Sequence, residues 1–189
     1  MEGSVNLTVE RKSVLKTIRL PESLVRSLEK EAADEGTTVN ALFNSIARQH
    51  YEYDKKLREF GTAEVPKSLF KVILDEIDDK TLARIGREVM PALWKEMAEF
   101  WIQDSSPDGI MRFQTLRSRF NPDSQTKLVQ EEGSYVIVLR HDYGPKWSVL
   151  LNYGLQETVR KLFKVEPRMS QGASVVTARF KVNPQNLPV

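Results

Sequence analysis

Cysteine is absent from all 189 residues, which rules out disulfides, thiolate zinc sites and cysteine nucleophiles. Histidine is almost absent: His50 and His141 are the only two, fewer ligands than a histidine-based metal site wants. No apolar run approaches the length of a membrane span, and Met1-Glu2-Gly3-Ser4 has neither a basic stretch nor an apolar one. These absences predict a soluble, cytoplasmic protein with no metal and no cofactor. Charge of one sign is lacking too. Twenty-eight basic side chains face 26 acidic ones, so the chain is no polycation.

What is present is most pointed near the N-terminus. Between Glu10 and Leu20 the balance tips, with Arg11, Lys12, Lys16 and Arg19 against Glu10 alone. The same stretch alternates. Ile18 and Leu20 fall on one side with Lys16 and Val14, and Leu15, Thr17 and Arg19 on the other. This predicts a strand that ends at Pro21, whose fixed φ also suits the first turn of a helix. Leu24, Val25, Leu28 and Ala32 then recur at helical spacing up to Gly36, a helix terminator. Thr38 is placed to cap a second helix with the stripe Val39, Leu42, Phe43, Ile46 and Ala47, continued by His50 and Tyr53.

One short strand and two amphipathic helices cannot bury their apolar surface as a monomer. Two copies paired through the strand form a two-stranded ribbon, an element that fits the DNA major groove. Its open face would present Leu15, Thr17 and Arg19 to base edges. The first-turn N–H groups of Thr38, Val39 and Asn40 would suit a phosphate.

The string Ile18-Arg19-Leu20-Pro21-Glu22-Ser23-Leu24, followed by Gly36-Thr37-Thr38-Val39-Asn40-Ala41-Leu42-Phe43, resembles the ribbon-helix-helix family of repressors and antitoxins. The likeness covers roughly residues 14–53. It implies an intertwined homodimer, base contacts from Leu15, Thr17 and Arg19, and phosphate contacts from Lys16, Thr38, Val39 and Asn40. Leu15 stands where the family more often has a polar or basic residue, and Lys16 where it has an apolar one.

The rest of the sequence predicts a second, larger domain. A module over 1–58 is followed by a hinge over 59–66 and an α+β domain over 67–189, with a small antiparallel sheet. Leu69, Phe70, Ile73 and Ile77 mark one helix. Leu82, Ile85, Val89, Leu93, Met97 and Trp101 mark a longer one that Pro91 should kink or split. A helix over 110–120 precedes two strands, 126–130 and 135–139, around a turn at 131–134. Val136-Ile137-Val138-Leu139 reads as a strand covered on both faces. Pro145 opens an amphipathic helix, and a β-branched run over 174–182 closes the domain. The order hairpin, glycine-containing helix, final strand is similar to that of vinyl-reductase-like sensor domains, whose closing strands carry cysteines that this chain lacks.

Nothing in this larger part spells out catalysis. His141-Asp142 is the one suggestive pair, and a turn with a structural histidine is the plainer reading. Trp94, Phe100, Trp101, Phe113, Trp147 and Tyr153 read as core, with an effector pocket as the alternative. Arg160, Lys161, Lys164, Arg168, Arg179 and Lys181 read as a solvated basic face, with DNA flanks or an acidic ligand as the alternative. The sequence therefore predicts a transcription regulator, a repressor rather than an enzyme, that binds double-stranded DNA as a homodimer or a tetramer. Its C-terminal domain would sense a small-molecule effector or set oligomerisation. The alternative is an antitoxin-type autoregulator whose C-terminal part binds a toxin or another protein.

Overall fold

A computed structural model of the chain describes residues 14–131 and 134–181. Arg11 and Lys12 of the basic stretch, the hairpin residues at 132–133 and the last residue of the expected final strand lie outside them. The chain divides into two compact units, one up to Arg48 and one from Gln49 onward.

In the first unit, residues 14–21 carry no regular secondary structure, so the strand expected there is not formed within a single chain. Helix α1 (Glu22–Asp34) follows Pro21, whose carbonyl accepts from the N–H groups of Leu24 and Val25. It ends where Gly36 turns left-handed at φ +64° and Thr37 N–H closes on the Ala32 carbonyl at 2.8 Å. Helix α2 (Val39–Gln49) begins after Thr38, whose hydroxyl accepts from Ala41 N–H.

The second unit opens with a π-helical turn, His50–Asp54, and a short helix α3 (Lys55–Phe60) closed by Gly61. The wider turn buries Tyr53, which stacks on Phe120 with ring centres 5.6 Å apart. Helix α4 (Lys67–Asp75) starts after Pro66. Pro91 divides the next helical stretch as its ring requires, giving α5 (Asp79–Glu88) and α6 (Met90–Ile102) with Pro91 in the first turn of α6. Asp78 caps α5 by accepting from Thr81 N–H, and Ser106 caps α7 (Pro107–Phe120) by accepting from Gly109 N–H.

The unit is α+β. Strands β1 (Ser124–Glu131) and β2 (Ser134–His141) form a hairpin, α8 (Pro145–Phe163) crosses over, and β3 (Arg168–Gln171) and β4 (Val175–Lys181) complete the sheet. The order is β1-β2-β4-β3, antiparallel throughout. The short polar strand β3 carries no apolar alternation that would announce it.

Ile137, Leu139, Val176, Ala178 and Phe180 point to one side of the sheet. There they meet Leu155, Val159 and Phe163 of α8, with Ile110 and Phe113 of α7 in the same core. The opposite face is not covered as the apolar run suggested. Val136 and Val138 are only half-buried and stand apart from this core. Gly86 and Gly154 let α5 and α8 approach closely, because a Cβ on Gly86 would lie 2.5 Å from the Leu150 carbonyl oxygen. Among the described residues no helix is long and apolar enough to cross a membrane.

Candidate functional site

The residues singled out for base contact all lie on the irregular segment before α1. Leu15 is 94% exposed, and Lys16, Thr17 and Arg19 are exposed beside it. Val14 and Ile18, apolar and β-branched, are 73% and 52% exposed. Only Leu20 turns inward, packing with Val39 onto Leu28, Ala32 and Leu42. Those three are the buried side chains of this unit among the described residues. Leu24 of α1 and Phe43 and Ile46 of α2 remain open to solvent. The apolar stripes are therefore real, but one copy of the chain covers only part of them.

Thr38, Val39 and Asn40 come together at the start of α2. The N–H groups of Val39 and Asn40 precede the first carbonyl that could accept them within the helix, so they are available to an anion. Val39's side chain is half-buried against Leu28, Ala32 and Leu42, which leaves its backbone as the outward-facing donor. Asn40 is tied down along the helix, its carbonyl accepting from Asn44 Nδ2 at 2.8 Å.

A second feature, not announced by any motif, is a cleft of about 520 Å³ in the larger unit. Met90, Leu93, Trp94, Met97 and Trp147 supply its apolar lining, and Tyr53, Asp54, Arg58, Glu64 and Arg117 its polar groups. Of the aromatics read from the sequence, Trp94, Trp101 and Phe113 belong to the core, and Trp94 also lines this cleft together with Trp147. The π-helical turn brings Tyr53 to it, and that turn leaves no sequence signature. Burial pushes the Tyr53 phenol up, against the opposing pull of the Arg117 guanidinium. The indole N–H of Trp147 is buried with no acceptor.

His141 and Asp142 do not converge. His141 is buried, with Nε2 2.8 Å from Ser148 Oγ and Nδ1 accepting from Tyr143 N–H at 3.3 Å. That pairing puts the ring proton on Nε2, donated to Ser148. Asp142 instead meets Lys67 at 3.1 Å and Lys71 at 3.4 Å, fastening α4 to the end of β2. Among the described residues no group of three His, Asp or Glu side chains could hold a metal ion.

Burial pushes the His141 ring below its ordinary value, the nearby Asp142 carboxylate only partly offsetting this. The unfolded chain then binds the extra proton first, so stability should fall as pH drops below about 6.5, until His141 itself protonates in the folded state. Urea unfolding measured between neutral and mildly acidic pH should show this loss, with a slope of up to about 1.4 kcal/mol per pH unit. His141→Gln should flatten that part of the curve.

The chain matches no protein-family model, no curated protein and no solved structure.

Proposed function

We propose that the protein is a sequence-specific DNA-binding transcription regulator, a repressor, that works as a homodimer through a ribbon-helix-helix module. One observation carries this reading. A segment of alternating apolar and polar residues, 14–20, lies exposed and unpaired in front of two helices whose apolar stripes are only partly covered. A second copy relieves both deficits at once. Two such segments side by side supply each other's backbone partners, and their apolar sides close over the four helices. Thr17 and Arg19 are then left on the outer face of the ribbon. Arginine can bond guanine O6 and N7 as a fork, and threonine offers a hydroxyl to base edges and a methyl to thymine. Val39 and Asn40 N–H groups, with Lys16, hold the flanking phosphates and set the register.

The larger unit would carry control. Its cleft, walled by tryptophan and methionine and edged by Arg58 and Arg117, has the size and lining of a small-molecule effector site. An effector acts by favouring one arrangement of the dimer over another, so that the ribbon fits or misses its half-sites.

Selection of bound fragments from a genomic library, with the purified protein at stated salt, should return a repeat with two-fold symmetry. On that site Thr17→Ala and Arg19→Ala should each weaken binding by about 1–3 kcal/mol, roughly five- to 150-fold. Sedimentation should show both variants to be dimers like the parent. Unchanged DNA affinity in the double variant would overturn the groove-reading role.

A further inference from the structure

We infer that the open face of the β-sheet in the larger unit is a second nucleic-acid surface, one that holds the phosphate backbone of a duplex without reading its sequence. The strand register carries the inference. Pairing places Lys127, Arg140, Arg168, Arg179 and Lys181 on the face turned away from the core, against one acidic position, Glu131 opposite Ser134 at the hairpin end. In a chain whose charges nearly cancel, this is a local segregation of sign. None of the five makes an ion pair with a described residue, whereas nearby Arg160 is held by Glu157 and Glu166.

Arg168 and Arg179 stand directly opposite each other on β3 and β4. Like charges at such a cross-strand pair destabilise a sheet, and a bound anion reverses the sign of that interaction. Strands lie about 4.8 Å apart and successive same-face residues about 6.8 Å apart, so the five cations spread over a span that reaches several phosphates of one duplex.

The rest of the face selects the occupant. Its apolar side chains are Val129, Val136, Val138 and Val175, half-buried and short. Among the described residues it offers no aromatic side chain on which single-stranded bases could stack. It also lacks the tryptophan, phenylalanine or leucine anchors of a membrane-binding surface. A second copy of the same face would be repelled by its charge. A polyanion with a regular, rigid array of phosphates fits all of these.

The inference shares its partner with the reading above but rests on different residues, so the two can fail separately. The assay is fluorescence anisotropy of the full-length protein on a random-sequence duplex of about thirty base pairs, between about 50 and 200 mM salt. The triple variant K127Q/R140Q/R179Q should bind more weakly. The slope of log affinity against log salt should shrink by about 0.9 for each cation removed. R140K/R179K should keep the parent slope, and T17A/R19A should lose preference for the selected site while keeping this contribution. Should the triple variant misfold, R140Q and R179Q singly read the same slope.

A parent slope in the glutamine variants overturns the inference, and does so without touching the ribbon if operator preference survives. Retention on phosphatidylserine vesicles that the triple variant loses, with duplex binding unaltered, likewise overturns it in favour of a lipid surface.

Discussion

Phe43→Asp combined with Ile46→Asp should yield a protein that sediments as a monomer and no longer retains its DNA site. Both side chains lie on the apolar stripe of α2, and both are left partly open by the single chain, at 37% and 46% exposure. Leu42, beside them on the same stripe, already packs on Leu28 and Ala32, so the fold of the isolated unit does not depend on Phe43 or Ile46. In a dimer closed over this stripe, each aspartate would have to be desolvated without a partner, at a cost of several kcal/mol. At about 1.4 kcal/mol for each tenfold, the pair should weaken dimerisation by three decades or more. The effect on DNA follows by mass action, because one strand cannot make a ribbon. T17A/R19A is the counterpart: it should remain dimeric and fail only at the groove. A double aspartate variant that stays dimeric at micromolar concentration would show that this stripe is not the dimer interface.

Much of the architecture was legible because it rests on local rules. Pro91 had to interrupt a helix, Gly36 had to end one, and Pro145 had to start one, whatever surrounds them. The hairpin followed from two β-rich stretches on either side of a turn sequence at 131–134. What could not be read depends on register and on burial from afar. β3 is four residues long and polar, and exists because β4 offers it a ladder. The Val136–Leu139 run carries no mark telling which of its residues a helix covers; α7 and α8 cover Ile137 and Leu139 and leave the valines.

The basic face illustrates the same limit. Sequence proximity groups Arg160, Lys161 and Lys164 with Arg168, Arg179 and Lys181, yet the first three lie at or just beyond the end of α8. The sheet replaces them with Lys127 on β1 and Arg140 on β2, both upstream of α8. The exposed segment 14–20 is the opposite case. Its alternation is plain in sequence, while the single chain gives it no ladder to join.

The larger unit has a vulnerable point of its own in Gly86, a glycine within a helix. Gly→Ala inside a helix ordinarily stabilises by about 1 kcal/mol, because alanine loses less backbone entropy. At Gly86 the added methyl would sit 2.5 Å from the Leu150 carbonyl oxygen and 3.0 Å from the Gly154 nitrogen. Both are backbone atoms of α8, so no side chain can rotate out of the way. From the other side, a Cβ on Gly154 would meet Met90 Cβ at 2.8 Å. Relief requires α5 and α8 to separate, opening the packing around Leu82, Leu150 and Leu151. Overpacking against a rigid neighbour costs about 1–3 kcal/mol, and separating two core helices adds lost burial. The steric cost therefore exceeds the propensity gain.

Gly86→Val should be worse than Gly86→Ala, since its branches add volume and stiffen χ1. We expect Gly86→Val to lower the thermal midpoint of the larger unit by roughly 10 °C or more, taking about 4 °C per kcal/mol for a domain of this size. Gly61→Ala is the matched control, with nothing within 4 Å of its Cβ and only a left-handed φ of +84° to strain. It should cost about 1–2 kcal/mol. Differential scanning calorimetry of the two variants separates steric contact from backbone strain, and a Gly86→Val midpoint at or above that of Gly61→Ala would show that α5 and α8 do not pack through this glycine.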